Sequence, residues 1–287
     1  MEQKTVAILM TSHDRRKKTL ACLLECFRQI DGMKGLESFS FDIFLVDDGS
    51  SDGTAEAVSE KFPQVFLIPG GGNLFWNQGM RLAWDRAAQN RDYDYYLWMN
   101  DDVALREGAL AAMLENSGFL ADKAIIAGTA EDSAGLLSYG GRTKSLRIIR
   151  PDDTIPVPCF CFNGNLVLVP RHVFKTVGNL EPRYHHSFGD YDYGIRAAAH
   201  GISSVVCPGI LCVCDRNHGI PKWRDSRYSL KERYRFLFSP KGRPPREQFL
   251  FDTRLMGFMR AVLHMISLNI KVLFPKRLQK QKNLQNE

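Results

Sequence analysis

The sequence predicts an α/β protein in which a sheet of parallel strands carries helices on both faces. Apolar stretches rich in β-branched residues alternate with amphipathic stretches of crossover length, which is the pattern of parallel sheets. Polar residues follow each predicted strand at its carboxyl end, where open α/β sheets bind ligands. The chain has 287 residues, of which 44% are hydrophobic and 24% charged, so we expect one large or two small domains with a full core.

Four short apolar runs predict the strands of the first hundred residues. They are residues 6–10, 41–46, 65–68 and 96–99. Between the first two runs, apolar side chains at helical spacing from Leu20 to Ile30 predict a helix. Glycine and aspartate residues after the second run predict a tight turn, and Thr54 can cap the helix that follows. A further helix is expected to run through Ala88.

Polar residues at the predicted strand ends indicate a ligand site. They are residues 11–15, 47–48, 70–73 and 101–102. Carboxylates at such an edge suit Mg²⁺ or Mn²⁺, and a nucleotide diphosphate needs such a cation to neutralise it. The alternative is that Asp101 and Asp102 only cap residues 103–114, which have helical spacing.

Composition and targeting signals exclude several other classes. The net charge of +6 is modest and comes largely from the C-terminal tail, and no nucleic-acid reader motif is present, so nucleic-acid binding is not expected. The seven cysteines include no CxxC pair, which favours reduced thiols in the core of a cytosolic protein. We expect neither a signal peptide nor a membrane-spanning segment.

Three ordered motifs resemble the family 2 glycosyltransferases of the GT-A fold. They are Val46-Asp47-Asp48-Gly49-Ser50-Ser51-Asp52-Gly53-Thr54, a Gly-Asn-Leu-Phe-Trp segment at 72–76, and Asn100-Asp101-Asp102. Within the family, the chain is most similar to the rhamnosyltransferase-like branch of bacterial surface polysaccharide synthesis. The resemblance implies a Rossmann-like mixed sheet with helices on both faces. It also implies a catalytic domain over residues 1–238, with a nucleotide-binding half (1–102) and an acceptor half (103–238), followed by a helical extension (239–287).

The resemblance implies a donor site for a UDP- or dTDP-sugar. Thr11 and His13 correspond to positions that hold the base, and Asp48 to the carboxylate that accepts a hydrogen bond from the base N3. Asn73 and Trp76 correspond to the segment that crosses the nucleotide and the donor sugar. The full set of expected donor-binding residues is Thr11, His13, Arg15, Asp48, Asn73, Trp76 and Asp101.

The resemblance also implies a divalent cation, Mn²⁺ or Mg²⁺. Asp102 corresponds to the final acid of the family's Asp-x-Asp motif, and His218 to a late histidine that completes the metal site. Asn100 departs from the motif, because an amide replaces the first acid and brings no charge. A lone loop histidine is also often only solvated, so the role of His218 stays open.

The acceptor side is expected around Gly189-Asp190-Tyr191-Asp192. The family usually shows Glu-Asp-x-Asp with an arginine four residues later; here Gly189 replaces the glutamate, and Arg196 keeps the arginine. Asp190 is then the candidate general base that takes the proton of the acceptor hydroxyl, and inversion at the anomeric carbon follows. The alternative is that Asp190 caps the following helix.

The C-terminal part suggests an amphipathic helix. Residues 249–274 are strongly apolar, with charged residues at helical spacing, and basic residues follow. This pattern fits a helix lying on an anionic inner-leaflet surface, although a helix packed on the catalytic domain or on a second copy in a homodimer would carry the same stripe.

The leading hypothesis is therefore an inverting, metal-dependent glycosyltransferase that acts on a glycan or lipid-linked saccharide. A nucleotidyltransferase would usually have a glycine-rich loop after the first strand, and residues 11–15 contain no glycine. A non-catalytic nucleotide-sugar-binding or scaffold protein of the same fold stays open because of Asn100 and Gly189.

Overall fold

The computed structural model describes residues 3–32, 36–216 and 219–275, which form two compact units. The first unit consists of the described residues up to His185 together with Gly189–Arg216. The second unit consists of His186–Phe188 and the described residues from 219 onward. The division into a catalytic domain over residues 1–238 and a helical extension over residues 239–287 stays a prediction.

The helices and strands of the first unit follow one another closely. Its strands are β1 (Lys4–Ser12), β2 (Phe39–Asp47), β3 (Phe66–Pro69), β4 (Tyr95–Met99), β5 (Ala104–Leu105), β6 (Ile125–Ala127), β7 (Ala130–Glu131), β8 (Leu137–Tyr139), β9 (Gly141–Arg142), β10 (Val157–Cys159), β11 (Cys161–Phe162), β12 (Leu166–Pro170), β13 (Ser204–Val206) and β14 (Cys212–Val213). Its helices are α1 (Arg16–Gly32), α2 (Thr54–Lys61), α3 (Phe75–Asn90), α4 (Ala109–Phe119), α5 (Arg171–Val177) and α6 (Gly189–Ala199).

A central sheet of eight strands has the order β10-β13-β6-β12-β4-β1-β2-β3. The four strands of the first hundred residues are parallel neighbours, as the sequence predicts. β12 then inserts antiparallel between β4 and β6, and β10 pairs antiparallel with β13. The sheet is therefore mixed, and the predicted α/β class is confirmed.

Two hydrophobic clusters cover the two faces of this sheet. Alternate residues of β1 divide between them, because successive side chains of a strand point to opposite faces: Ile8 belongs to one cluster and Leu9 to the other. Residues of α1, α2 and α4 join the first cluster, and residues of α3, α5 and α6 join the second. The prediction of helices on both faces is confirmed.

The apolar segment at residues 203–213 does not form a single strand. It divides into β13, in the central sheet, and β14, which pairs with β5 and β7 in a separate four-stranded sheet. Gly209, at a φ of 74°, lies in the turn between them. Glycine adopts this backbone conformation easily, whereas residues with a side chain do not. The chain can therefore turn at Gly209, so that β13 ends before β14 begins.

The cysteines are free thiols in the described structure, and six of the seven are buried. Cys207, Cys212 and Cys214 belong to the first hydrophobic cluster, as expected for core residues of the last strands. Burial raises the pKa of Cys161 to about 12 and that of Cys26 to about 12. Thiols with such values are inert packing groups.

The second unit is helical. It contains a 3₁₀ turn at Lys222–Arg224 and the helices α7 (Leu230–Leu237), α8 (Pro245–Met256) and α9 (Phe258–Leu273). The single amphipathic helix expected over residues 249–274 is wrong, because Gly257 at a φ of 86° separates α8 from α9. No helix in the described part of the chain combines the length and apolar character needed to cross a bilayer.

Candidate functional site

The carboxyl edge of the central sheet collects the polar residues that follow its parallel strands. β1 and β2 end side by side, since Ser12 pairs with Asp47, and the N–H of Asp48 donates to the Ser12 carbonyl at 2.8 Å. β4 lies on the other side of β1 and leads to Asp101. This edge therefore brings together strand ends that the sequence predicts to meet.

Asp48 organises the glycine loop that follows β3. Its buried carboxylate accepts three backbone N–H groups, from Gly72 at 2.7 Å, Leu74 at 2.9 Å and Phe75 at 3.0 Å. A Cβ atom on Gly70 would lie 2.8 Å from Cα of Asp48, so the loop passes too close to the strand end for a side chain. The carboxylate expected to bind a base thus also fixes the loop that leads into α3.

The other expected base-binding residues lie along the same edge. Nδ1 of His13 is 2.7 Å from the carbonyl oxygen of Asp48, and the side chain is 47% exposed. Asn73 is exposed on the glycine loop. Thr11 instead packs on α3, because a Cβ atom on Gly79 would overlap the Thr11 hydroxyl. His13 and Asn73 are therefore accessible to a ligand, whereas Thr11 contributes to the packing of α3 on β1.

One arginine links the two aspartates that follow β4. Nη1 of Arg15 lies 3.0 Å from Oδ1 of Asp101 and 2.8 Å from Oδ2 of Asp102. Asp101 is 3% exposed, and burial raises the pKa of its carboxyl although the charge of Arg15 opposes the shift. Nζ of Lys18 lies 3.8 Å from Oδ2 of Asp102. The pair of acids is thus matched by two cations at the start of α1.

The alternative that Asp101 and Asp102 cap the next helix is wrong. That helix, α4, begins at Ala109, and its N-cap residue is Gly108 at a φ of 76°. β5 occupies the place of the expected first helical turn. The two aspartates instead contact residues at the start of α1. Their position therefore belongs to the carboxyl edge of the sheet and not to a helix cap.

Trp76 connects the aspartate end of this edge with the loop before β12. Its indole N–H donates to Oδ1 of Asn100 at 2.7 Å. Its ring lies against Gly164, where a Cβ atom would overlap the ring. Because the bond to Trp76 requires only a neutral acceptor, an amide serves at position 100 as well as a carboxylate would.

Asp190 lies beside Gly164, the residue against which the Trp76 ring packs. Its Oδ2 accepts the N–H of Gly164 at 2.9 Å, and its Oδ1 accepts the N–H of Tyr191, in the first turn of α6, at 2.8 Å. Burial raises the pKa of Asp190, while the two N–H groups and the charge of Arg142 oppose that shift. A half-buried carboxyl with a raised pKa has the chemistry that a general base requires.

Asp192 and Arg196 have a structural role. Asp192 is fully buried, and Nε of Arg196 lies 3.0 Å from its Oδ2. The Tyr184 hydroxyl donates to the other oxygen at 3.1 Å. Arg196 also donates to the carbonyls of Val177 and Asn179, each at 2.9 Å. This second acid and its arginine therefore anchor α6, and Asp190 alone of the two acids remains a candidate for catalysis.

The glycine at position 189 is explained by Asn77. A Cβ atom on Gly189 would overlap Oδ1 of Asn77, whose side chain is fully buried. Nδ2 of Asn77 donates to the carbonyls of Glu181 at 2.9 Å and Tyr184 at 2.8 Å, which fixes the amide in place. The amide thus fills the space that a glutamate side chain at 189 would need.

Arg142, which sequence reasoning missed, completes the surroundings of Asp190. Its Nε donates to Oδ1 of Asn163 at 2.9 Å, and Nδ2 of Asn163 donates to the Tyr191 hydroxyl at 3.1 Å. The guanidinium carbon lies 5.7 Å from the centroid of the Tyr191 ring. Position 142 belongs to no motif, so only the pairing of β9 with β11 brings it to this site.

A divalent cation at the sheet edge would find a suitable carboxylate in Asp102. Its Oδ1 accepts a weak contact from Sγ of Cys214 at 3.7 Å, and such an oxygen suits a cation whose other ligands are water and phosphate oxygens. Among residues 3–32, 36–216 and 219–275, no three His, Cys, Asp or Glu side chains are arranged as a metal site. His218, the expected second ligand, lies outside the described residues. The residues present therefore fit a cation shared between the protein and a bound diphosphate.

The family model for glycosyl transferase family 2 matches residues 7–178 of the chain. Among curated proteins, the chain is similar to N-acetylglucosaminyl-diphospho-decaprenol L-rhamnosyltransferase of Mycobacterium tuberculosis. The two are 24% identical over 226 residues, which is 68% of this chain and 73% of that protein.

Solved structures support the same fold. The mannosyltransferase PcManGT of Pyrobaculum calidifontis, in complex with GDP-Man and Mn²⁺, is 16% identical with a TM-score of 0.55, over 96% of this chain and 73% of that chain. TarS of S. aureus in complex with UDP-GlcNAc is 11% identical with a TM-score of 0.57, over 99% of this chain and 93% of that chain. Both are similar to this chain in fold.

Proposed function

We propose, from the premise that this chain belongs to glycosyl transferase family 2, that it transfers a sugar from a UDP- or dTDP-sugar to a lipid-linked saccharide or glycan. The observation that carries the proposal is that two groups of charged residues lie at opposite ends of Trp76. At one end, Arg15 lies between Asp101 and Asp102, and at the other Asp190 holds a raised pKa. Displacement at the anomeric carbon needs both ends. On one face of the sugar the negative charge of the departing diphosphate must be stabilised, and on the other face a base must take the proton of the attacking hydroxyl.

The similarity to the rhamnosyltransferase favours dTDP-rhamnose as the donor and a saccharide on a polyprenyl diphosphate as the acceptor. Such a reaction belongs to bacterial surface polysaccharide synthesis and takes place where nucleotide sugars are made, so we expect the chain in the cytoplasm. The mannosyltransferase bound to GDP-Man and the TarS structure bound to UDP-GlcNAc support a nucleotide sugar as the donor class.

In the proposed mechanism, Asp190 accepts the proton of the acceptor hydroxyl as that oxygen attacks the anomeric carbon. The bond from this carbon to the diphosphate breaks on the opposite face, so the configuration inverts. Arg15 and Lys18 lie beside the acids that face the leaving group, where their charges stabilise the departing diphosphate. Mn²⁺ or Mg²⁺ held by Asp102 would supply further positive charge to the same group.

The non-catalytic alternative rested on two departures from the family pattern. At position 100, the amide accepts the indole N–H of Trp76, and at position 189, the glycine accommodates Asn77. Both departures are matched by a neighbouring side chain, and Asp102 and Asp190 are present. The proposal of an active enzyme therefore has the stronger support.

Calorimetric titration with UDP, dTDP and GDP, in Mn²⁺ and in EDTA, tests the donor site. We expect UDP or dTDP to bind more tightly than GDP, and the affinity to fall in EDTA. Binding that is indifferent to EDTA would remove the cation from the proposal while keeping the donor. Failure of all three nucleotides to bind would overturn the function.

We also propose that the second unit makes peripheral contact with an anionic membrane surface. α9 buries Leu268 and Val272 in a cluster with Trp223 and Leu237 of the same unit. A stripe of large apolar side chains on α9 is 43–70% exposed: Met259, Leu263, Ile266, Ile270 and Leu273. Burial and the charges of Arg224 and Arg243 lower the pKa of Lys271, which is on α9. These three basic residues therefore lie close together near the stripe. Apolar area with positive charge matches an anionic lipid surface.

Flotation with vesicles of anionic lipid tests this contact. The double variant Leu263→Glu with Ile270→Glu should lose flotation, whereas Phe119→Glu with Leu136→Glu, which changes equally exposed apolar residues of the first unit, should not. Equal flotation of both variants would remove the membrane proposal. A change in sedimentation by the first variant alone would instead assign the stripe to a homodimer.

A further inference from the structure

Arg142 is a buried cation whose hydrogen-bond partners are neutral. The residue is 8% exposed, and its bonds go to Oδ1 of Asn163 at 2.9 Å and to the carbonyl of Leu146 at 3.0 Å. In the described part of the chain, no carboxylate forms an ion pair with it. A guanidinium taken out of water normally has an anionic partner, because its desolvation is costly. Asp190 lies near enough for the charge of Arg142 to lower its pKa, but its oxygens accept the N–H groups of Gly164 and Tyr191, so no anion that the structure describes bonds the guanidinium directly.

One edge of this guanidinium is available to a ligand. Nη2 has no hydrogen-bond partner among the described residues, and it is not among the side-chain nitrogens that are both completely buried and unbonded. Nη2 is therefore not completely buried, and the guanidinium carbon lies over the Tyr191 ring, 5.7 Å from its centroid. Its two N–H groups are the kind of planar donor that binds phosphate oxygens.

A basic segment continues from Arg142. Lys144, Arg147 and Arg150 are exposed, and among the described residues none of them forms an ion pair. The chain has no Asp or Glu from residue 133 to residue 151. Backbone bonds from Thr143 to Arg147 and from Ile149 to Gly141, each 2.9 Å, fold residues 141–149 into a tight hairpin. The positive charges are thus held together on one short element.

This hairpin adjoins the candidate base. Asn163 bonds both Arg142 and Tyr191, and the residue after Asn163 donates its N–H to Asp190. An acceptor whose hydroxyl reaches Asp190 therefore has the hairpin beside it.

We propose that Arg142, with Lys144, Arg147 and Arg150, binds a phosphate or diphosphate group carried by the acceptor next to the sugar that Asp190 activates. The inference rests on the proposed function and adds to it the residues that recognise the diphosphate of the acceptor. It also explains why a buried arginine is kept without a carboxylate partner: the substrate brings the anion. A neutral glycan acceptor would leave this guanidinium without a bonded anion.

Two acceptors that differ only in the presence of the diphosphate group test the proposal by kinetics. One carries N-acetylglucosamine on a diphosphate with a short alkyl chain, and the other carries the same sugar on the chain directly. Arg142→Gln should raise KM for the diphosphate acceptor about 10- to 100-fold, the loss expected for a charge-assisted bond, with little change for the neutral one. An equal change with both acceptors would overturn the proposal. Arg28→Gln, which removes an exposed arginine of α1, is the matched control.

Direct binding keeps the test independent of turnover. With the donor site saturated by UDP or dTDP, calorimetry would measure geranyl diphosphate and, as a neutral control, geraniol. Weaker binding of geranyl diphosphate by Arg142→Gln, but not by Arg28→Gln, would support the site even if no transfer were detected. Identical affinities of wild type and Arg142→Gln would overturn it. If the wild type transferred no sugar but its binding of geranyl diphosphate still depended on Arg142, the proposed function would be contradicted and the anion site would be supported.

Discussion

Replacing Gly189 by alanine tests how the start of α6 is built. At an open helical position, alanine in place of glycine stabilises a protein by about 0.5–1 kcal/mol. At Gly189 the new methyl group overlaps Oδ1 of Asn77, and two carbonyls bonded to Nδ2 prevent the amide from turning aside. Since overpacking costs about 1–3 kcal/mol, we expect Gly189→Ala to destabilise the protein by about 1–2 kcal/mol overall.

Urea unfolding followed by tryptophan fluorescence measures this change, because three of the four tryptophans lie in the first unit. Gly118→Ala is the matched control, since a Cβ atom there meets nothing within 4 Å in α4, and it should stabilise. Asn77→Ala costs stability itself, because two buried carbonyls lose their donor. In that background Gly189→Ala should be neutral or stabilising, which gives a coupling energy of at least about 1 kcal/mol.

Two outcomes would refute the assignment of this space to Asn77. One is that Gly189→Ala stabilises the protein as much as Gly118→Ala does. The other is an equal cost of Gly189→Ala with and without Asn77. Because the altered residue adjoins Asp190, kcat should fall with the stability, while the dissociation constant of the donor stays unchanged.

Two further predictions concern the charged groups of the site. Arg15→Gln should weaken UDP or dTDP binding about 10-fold or more in calorimetry, because it removes a charge-assisted contact and leaves the buried Asp101 without its cation, whereas Arg28→Gln should have no effect. Unchanged affinity would remove Arg15 from the donor site. The kcat/KM for a neutral acceptor should rise with pH through the raised pKa of Asp190, since only the carboxylate accepts a proton, and Arg142→Gln should move this rise to higher pH because the arginine lowers that pKa. A profile that does not move would show that Arg142 does not act on the base.

The sequence predicted the parallel half of the sheet because each of its strands is an apolar run with a polar end. The parallel direction of β1, β2 and β4 follows from that pattern and from crossover length. It also placed Asp101 and Asp102 at the active edge. The expected helix after them was wrong in its start, since Gly108 adopts a left-handed conformation that helical spacing does not reveal.

The remaining features depend on contacts between distant parts of the chain. Asn77 and Gly189 are 112 positions apart, and neither shows by itself that one fills the other's space. Only the family resemblance distinguishes Asp190 from Asp192 in the sequence, whereas in the structure one faces Gly164 and the other is buried against Arg196. Arg142 belongs to no motif. Such roles follow from packing, which a single sequence does not display.

The central claim, that Asp190 removes the proton of the acceptor during sugar transfer, is tested most directly by Asp190→Asn. Transfer from a labelled nucleotide sugar to the diphosphate-linked acceptor would be measured together with calorimetric binding of the same donor. We predict a loss of kcat by about 100-fold or more, the usual contribution of a general base, with an unchanged dissociation constant for the donor. Unchanged turnover, or loss of donor binding in parallel with turnover, would contradict the assignment of Asp190 as the base.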